Sequence, residues 1–451
     1  PNYRVYARDY GRFAERLGRF CRVLLDFDDD GFSPVLGGLD CDDFDPTRGP
    51  GVPEQVDGKD RNCNHMIRFT DPAPSQRGLA PSIGDPDAAP GEIDRVVLVT
   101  IDCMRHSILS PRVTPNLSRL AERGLLLEKL YAGGARTAIS LPLVLRGSYG
   151  APSVASIAAA AGVKTAAIFS YRHSTLQGPL FDGFTSVQRP AKVDTRFRAT
   201  EVTDRALDVI DATAGPSFLW LHYFDAHGPR TVRVLPADTP HFDPLPSEDE
   251  ESSLYLAEIA YVDREVGRLV ERIETTGGFA KTMMIVTSDH GEGFGLHETW
   301  EHGQSAFEEI VHVPGILVGP GIAPGRHEHV VSHRDIASTI AGAFGLVGKN
   351  GETEQFGRSW LRLRSAPEAP LHLFVVTYST SAHVQAFAEA PMVVLTDDHA
   401  KFATSYKEGI SRLYHLDSPD GERFDLSPDF PDEAAHMQFE LEVYRDIDRT
   451  P

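Results

Sequence analysis

The hydrophobic pattern changes character twice along this chain. Residues 1–25, "PNYRVYARDYGRFAERLGRFCRVLL", repeat apolar and aromatic positions every three to four residues, which predicts an amphipathic helix. Residues 26–66 have almost no regular period and carry many Asp, Gly and Pro. From residue 94 near-continuous apolar runs alternate with amphipathic ones. The runs "RVVLVTID" (95–102), "KTAAIFS" (164–170), "PSFLWLHYFDAH" (216–227), "TMMIVTSDHG" (282–291) and "GILVGPG" (315–321) predict buried strands. Between them, 114–124, 154–162, 202–213, 254–278 and 333–345 predict helices, the first starting at a Thr-Pro cap and stopping at Gly124.

Strands that are apolar on both faces, separated by helices, predict an α/β fold: a largely parallel central sheet with helices on both faces. After about residue 366 the pattern shifts to short strands such as "LFVVTY" and "SRLYHL", with a closing helix near 432–445. That predicts a small antiparallel C-terminal subdomain. The resulting plan is a helix over 1–25, an Asp-rich segment over 26–66, an α/β domain over 67–365 and the subdomain over 366–451.

In such sheets ligands sit beyond the carboxyl ends of the strands. Three predicted strand ends carry polar groups: Asp102; His222, Asp225 and His227; and the pair Asp289–His290. Each alone has an ordinary structural explanation. An Asp after a strand caps a turn or helix, and His222, set in an apolar strand, reads as a core histidine. Together they mark one edge. In "GGARTAISLPLVLRG" (133–147) Thr137 opens an apolar run and reads as an N-cap. That position also stands at the positive end of a helix, beside N–H groups that bind anions. A cation held by Asp102, Asp289 and His290 would let the hydroxyl ionise, as metals lower the pKa of bound water from about 15.7 to about 7.

A formal net charge of −21 argues against nucleic acid as a partner and suits a protein that collects divalent cations. There is no run of about 18 apolar residues, so no bilayer span is expected. The sequence begins at Pro1, so the natural start is expected upstream, where a signal peptide or membrane anchor has room.

The segment "VVLVTIDCMRHSILSPRVTPNLSRLAERGLLLEKLYAGG" resembles the opening of the sulfatase-like branch of the alkaline phosphatase superfamily. "FLWLHYFDAHGP", "AYVDREVGRLVERIE", "VTSDHGEGFGLHETWEHGQSAFEEIVHVPGILVGPG" and "VSHRDIASTIAGAFGL" follow in that family's order, over roughly residues 94 to 430. The resemblance implies a nucleophile at a helix N-terminus, opening a Cys- or Ser-x-Pro-x-Arg signature whose first residue becomes formylglycine. Here Thr137, Ile139 and Leu141 stand at the nucleophile, proline and arginine positions. Threonine cannot become formylglycine. Other branches use unmodified threonine, among them nucleotide phosphodiesterases and phosphoethanolamine or glycerol-phosphate transferases, so the resemblance favours phosphoryl over sulfuryl chemistry.

Sulfatases commonly carry paired aspartates after the first strand, whereas here Asp102 is followed by Cys103. The shell that remains, Asp102, Thr137, Asp289 and His290, is similar to the single-metal site of the threonine-dependent transferases. Its mixed carboxylate and imidazole donors favour zinc or manganese, with calcium or magnesium as alternatives. Asp225, His227 and His302 are either a second metal set or substrate-oxygen ligands, with His227 or His302 as the acid for the leaving group. The implied mechanism is double displacement. Thr137 attacks a phosphate ester, a histidine protonates the departing alcohol, and water or an acceptor alcohol releases the phospho-threonine. The substrate would be a phosphate or sulfate ester, lipid- or glycan-linked among the options. Two alternatives stay open: a sulfatase working without formylglycine, and a catalytically silent binding protein of the same fold.

In the Asp-rich segment, Asp26, Asp28 and Asp30 fall at positions 1, 3 and 5 of a calcium-loop spacing, with Gly31 at the turn. Gly37 stands where an EF-hand carries its bidentate Glu, so Asp40, Asp42, Asp43 and Asp45 are expected to complete the coordination. The segment resembles Asp-Cys-Asp-Asp calcium repeats and thrombospondin type-3 repeats, which implies structural calcium within residues 26–64. Its alternative is a disordered acidic linker. A Cys41–Cys63 disulfide is left open by the sequence; together with calcium it points to a periplasmic or extracellular location.

Overall fold

Parallel pairing of the most apolar runs organises the fold. The structure, a computed structural model, describes residues 93–447 except 149–150, 173–177, 194, 229–234, 246–250, 299, 304, 347–356, 363–371, 377–391, 397–398, 406–409 and 417–421. The predicted helix over 1–25, the Asp-rich segment with its aspartates, and Cys21, Cys41 and Cys63 lie outside the described residues.

In chain order the elements begin with β1 (Arg95–Ile101), α1 (Pro115–Arg123), β2 (Leu125–Tyr131), α2 (Thr137–Arg146), α3 (Val154–Ala160), β3 (Lys164–Phe169) and β4 (Ser186–Gln188). Then come α4 (Ala199–Ala212), β5 (Ser217–Tyr223), α5 (Glu251–Thr275), β6 (Thr282–Ser288), α6 (Glu308–Val311), β7 (His312–Val318), β8 (Gly325–Ser332) and α7 (Arg334–Ala343). Four strands, β9 (His372–Val376), β10 (Met392–Thr396), β11 (Ala400–Ser405) and β12 (Ile410–His415), precede α8 (Pro431–Ile447).

The main sheet has eight strands in the order β4-β3-β5-β1-β6-β7-β2-β8. Every pairing is parallel except the two made by β7, which runs against β6 and β2. β1, β5 and β6 lie at the centre and are buried along their lengths, Arg95 excepted, which is why they read as continuous apolar runs. Alternation splits them between two cores. Val96, Leu98, Phe218, Trp220, Met283 and Ile285 face one side, and Val97, Val99, Leu219, Leu221, Met284 and Val286 face the other.

Strands β2, β4 and β8 were not among the predicted elements. β2 follows α1 after the single residue Gly124, whose Cβ, if present, would lie 2.4 Å from the Leu317 carbonyl oxygen of β7. That close approach, not a left-handed cap, is why the helix stops at a glycine. The start of α1 also differs from expectation. Thr114 donates its hydroxyl to the Ser110 carbonyl at 3.2 Å, and the first helical N–H groups, of Asn116 and Leu117, go instead to Asp263 of α5 at 3.0 and 2.8 Å.

The C-terminal strands form an antiparallel sheet in the order β12-β11-β10-β9, as the sequence predicts. Both sheets belong to one compact unit. Residues 425–446, with most of α8, belong to another. No helix among the described residues is long and apolar enough to cross a membrane.

A buried cation ties the second sheet to the first. Lys401 of β11 is 1% exposed and donates to Glu308 at 2.5 Å, Glu422 at 2.9 Å and the Ala306 carbonyl at 3.1 Å. Burial would lower its pKa, but the two carboxylates outweigh this and raise it. Burial beside a second carboxylate pushes Glu422 up to about 7 despite Lys401. Lys401→Met removes the compensating charge, so urea unfolding should show a loss of about 3–5 kcal/mol. A loss within experimental error would mean the triad is solvated in solution.

Candidate active site

Sheet register alone brings the polar strand ends together. β1 pairs in step with β5, Thr100 opposite His222, and with β6, Ile101 opposite Ser288. One residue further, Asp102 and Asp289 are therefore lateral neighbours on strands about 4.8 Å apart. Alternation puts Thr100 and Asp102 on the face that carries Val96 and Leu98, and His222 on the face of Phe218 and Trp220. The chemistry continues the core at the end where the strands stop.

Thr137 is the first residue of α2, and Arg136 occupies the cap position with extended backbone. The expected threonine cap is thus corrected by one residue: the hydroxyl points away from its own helix, into the strand ends. Its Oγ1 donates to Asp102 Oδ2 at 3.3 Å and lies 3.2 Å from His290 Nε2. The Arg136 side chain makes no capping hydrogen bond to α2, and the positive end of the helix is turned toward the same place.

Asp102, Asp289 and His290 are fully buried, and one ligand atom from each lies within 4.8 Å of the others. His290 Nδ1 donates to the Gly291 carbonyl at 2.8 Å, so Nε2 presents its lone pair inward. Burial lowers the His290 pKa, keeping the ring neutral as a ligand must be. Burial, then the charge of Asp102, raises that of Asp289, and its Oδ2 has no hydrogen-bond partner. For Asp102 burial works in the raising direction, but His222 and the other neighbouring imidazoles prevail and hold the carboxyl below the usual range. Two dry carboxylates, one of them with an orphaned oxygen, beside an inward imidazole lone pair fit a divalent cation.

The other predicted residues divide. His227 donates Nδ1–H to the Gly228 carbonyl at 2.6 Å, stacks on Phe224, and meets His302 edge-on with centroids 5.0 Å apart. His302 stacks on His290 at 4.3 Å and donates Nδ1–H to Glu292 Oε1 at 3.0 Å. Both histidines therefore border the cluster. Asp225 does not join them, and the expected set of Asp225, His227 and His302 is corrected. Its Oδ1 accepts from the Ala199 N–H at 3.1 Å and forms an ion pair with Arg198, Nε 3.1 Å away, anchoring the start of α4. Burial pushes its pKa up to about 6 against the pull of Arg198.

Three residues escaped the sequence reading. His222, read there as a core histidine, places Nε2 3.3 Å from Asp102 Oδ2 while Nδ1 lies 2.9 Å from Thr100 Oγ1. Phe218, Trp220 and His222 alternate onto one face, which was the available signal. Glu292, which orients His302, lies in an irregular stretch where no period marks it. Ser140, one turn after Thr137, donates to the Asp289 carbonyl at 2.6 Å and lies 2.9 Å from His333 Nδ1, which joins α2 to β6 and α7.

The family model Sulfatase matches residues 95–346, and a metal-binding motif, Cu-binding MopE, matches 40–67, outside the described residues. The choline-sulfatase of Rhizobium meliloti (strain 1021) is 33% identical over 124 residues, 27% of this chain and 24% of that protein. The chain thus matches about a quarter of that relative's length. The phosphonate monoester hydrolase of Agrobacterium radiobacter is similar in fold at TM-score 0.59 and 18% identity, covering 78% of this chain and 95% of that one. A sulfatase-type structure from Bacteroides fragilis gives 0.63 and 15%, with 80% and 97% covered.

His222→Gln should lower the affinity of this cluster for a divalent cation about 10–100-fold, because the imidazole beside the Asp102 carboxylate is lost. Competition titration against a chelating dye reads this. Unchanged affinity would mean that His222 is only core packing.

Proposed function

We propose a threonine-dependent phosphoesterase, starting from the fact that the chain belongs to the sulfatase family. The observation that carries this reading is the Thr137 hydroxyl, 3.3 Å from Asp102 Oδ2 and 3.2 Å from His290 Nε2 at the opening of α2. Asp102, Asp289 and His290 would hold one divalent cation, with zinc or manganese suited to the mixed donors. When bound, that cation supplies the charge that acidifies a nearby hydroxyl and neutralises phosphoryl oxygens.

The chain's own groups account for the remaining steps. Thr137 Oγ1 attacks phosphorus and loses its proton to solvent. The N–H groups at the start of α2 face the equatorial oxygens. His302, oriented by Glu292, gives a proton to the departing ester oxygen as its bond to phosphorus breaks, and His227 borders the leaving group. Water or an acceptor alcohol then displaces the threonine. The choline-sulfatase relative favours a second reading, cleavage of sulfate esters without formylglycine. The substrate on either reading is a phosphate or sulfate ester, with lipid- and glycan-linked esters among the options. We place the protein outside the cytoplasm, in the periplasm or beyond, with structural calcium bound to the Asp-rich segment.

The test is turnover of paired aryl phosphate monoester, phosphodiester, phosphonate monoester and sulfate substrates. We expect phosphorus esters to be preferred, and Thr137→Ala to lower kcat more than about 10³-fold while cation binding persists. Sulfate turnover alone would establish the second reading. Undiminished turnover by the Thr137 variant would remove the nucleophile.

A further inference from the structure

Cys103 stands in the site and has no part in the chemistry above. It is buried, with φ at +62°, a left-handed conformation that non-glycine residues seldom hold. Its neighbours enforce that turn. Tyr255 donates its hydroxyl to the Cys103 carbonyl at 2.9 Å, the Met104 N–H donates to Ser288 at 2.9 Å, and the Arg105 N–H donates to Tyr255 at 3.1 Å. The turn directs Sγ inward. It lies 2.9 Å from Asp102 Oδ1, 3.6 Å from Glu292 Oε2 and 3.8 Å from His302 Nδ1.

Sγ and one ring nitrogen each of His290 and His302 fall within 4.8 Å of one another, and His290 also belongs to the Asp102–Asp289 group. An independent sign of a missing ligand is Asp289 Oδ2, dry and without a hydrogen-bond partner, 3.4 Å from that same His290 Nε2. We propose that Cys103 is a ligand of the active-site cation, adding a soft thiolate on the side of Asp102 and His290. The inference rests on the cation site described under the proposed function and deepens it by naming the class of ion. Thiolate donors select zinc and its heavier relative cadmium, whereas an all-oxygen shell suits magnesium, calcium or manganese. The thiol proton leaves to solvent as the sulfur–cation bond forms.

The experiment titrates the metal-free full chain with cadmium and follows the ultraviolet thiolate-to-metal band. In the wild type this band should grow until one site is filled. The wild-type-minus-Cys103→Ser difference isolates this sulfur from those of Cys21, Cys41 and Cys63. Cys103→Ser should lose the band and bind zinc at least about tenfold more weakly. Cys103→Asp, tolerated in the same turn, should keep a cation but move preference toward manganese and magnesium. Zinc absorption spectroscopy on the Cys21→Ser, Cys41→Ser, Cys63→Ser chain should show one sulfur at about 2.3 Å. A cation bound with no sulfur neighbour, or an equal band in Cys103→Ser, overturns this inference and leaves the cation site standing. Failure of the wild type to take up any cation overturns both.

Discussion

Two aspartates forced side by side in a dry place set the terms for the rest of this molecule. The in-step pairing of β1 with β6 leaves Asp102 and Asp289 no other arrangement, since slipping by one residue would turn every apolar side chain of the strand to the wrong face. Removing two carboxylates from water costs several kcal/mol each unless opposite charge compensates. Part of the compensation is local: His222 at Asp102, and the backbone N–H of His290 at Asp289 Oδ1. The remainder is the work left for a cation.

Around that pair the fold supplies directions. α2 brings a hydroxyl and the positive end of a helix, and the turn after β1 brings a sulfur. The connection after β6 brings His290, Glu292 and His302. Each is fixed from behind. Ser140 ties α2 to the Asp289 backbone, Tyr255 holds the turn at Cys103, and Gly291 fixes the tautomer of His290. Such backing holds these side chains in defined positions. Lys401 solves a related problem away from the site, where a mobile surface charge becomes an internal joint between sheets.

What could be read from the amino-acid order follows from where the signals are local. β1, β5 and β6 announced themselves because a strand buried on both faces has few polar positions to confuse the pattern. Asp102, Asp289, His290 and Thr137 stood out as polar residues at the ends of such runs. β2 and β8 did not, since one follows a helix after a single glycine and the other mixes exposed and buried positions. His222 was legible only through register, because its partner lies on another strand. Asp225 misled for the same reason: its sequence neighbours suggest a site, but Arg198 and the start of α4 hold it elsewhere. The Lys401 joint links residues 93 and 21 apart in the chain, which no periodicity reveals.

The reversed strand β7 has an evolutionary implication. Because it lies antiparallel beside β6, residues 289–311 leave and rejoin the sheet at the same rim. That excursion behaves as a handle bolted at both feet: it can lengthen, shorten or change its tip without disturbing a strand. Asp289 and His290 sit at one foot and stay put, while His297 and His302 ride on the arch. Descendants of this fold are therefore free to vary the arch while inheriting the same buried cluster at its foot.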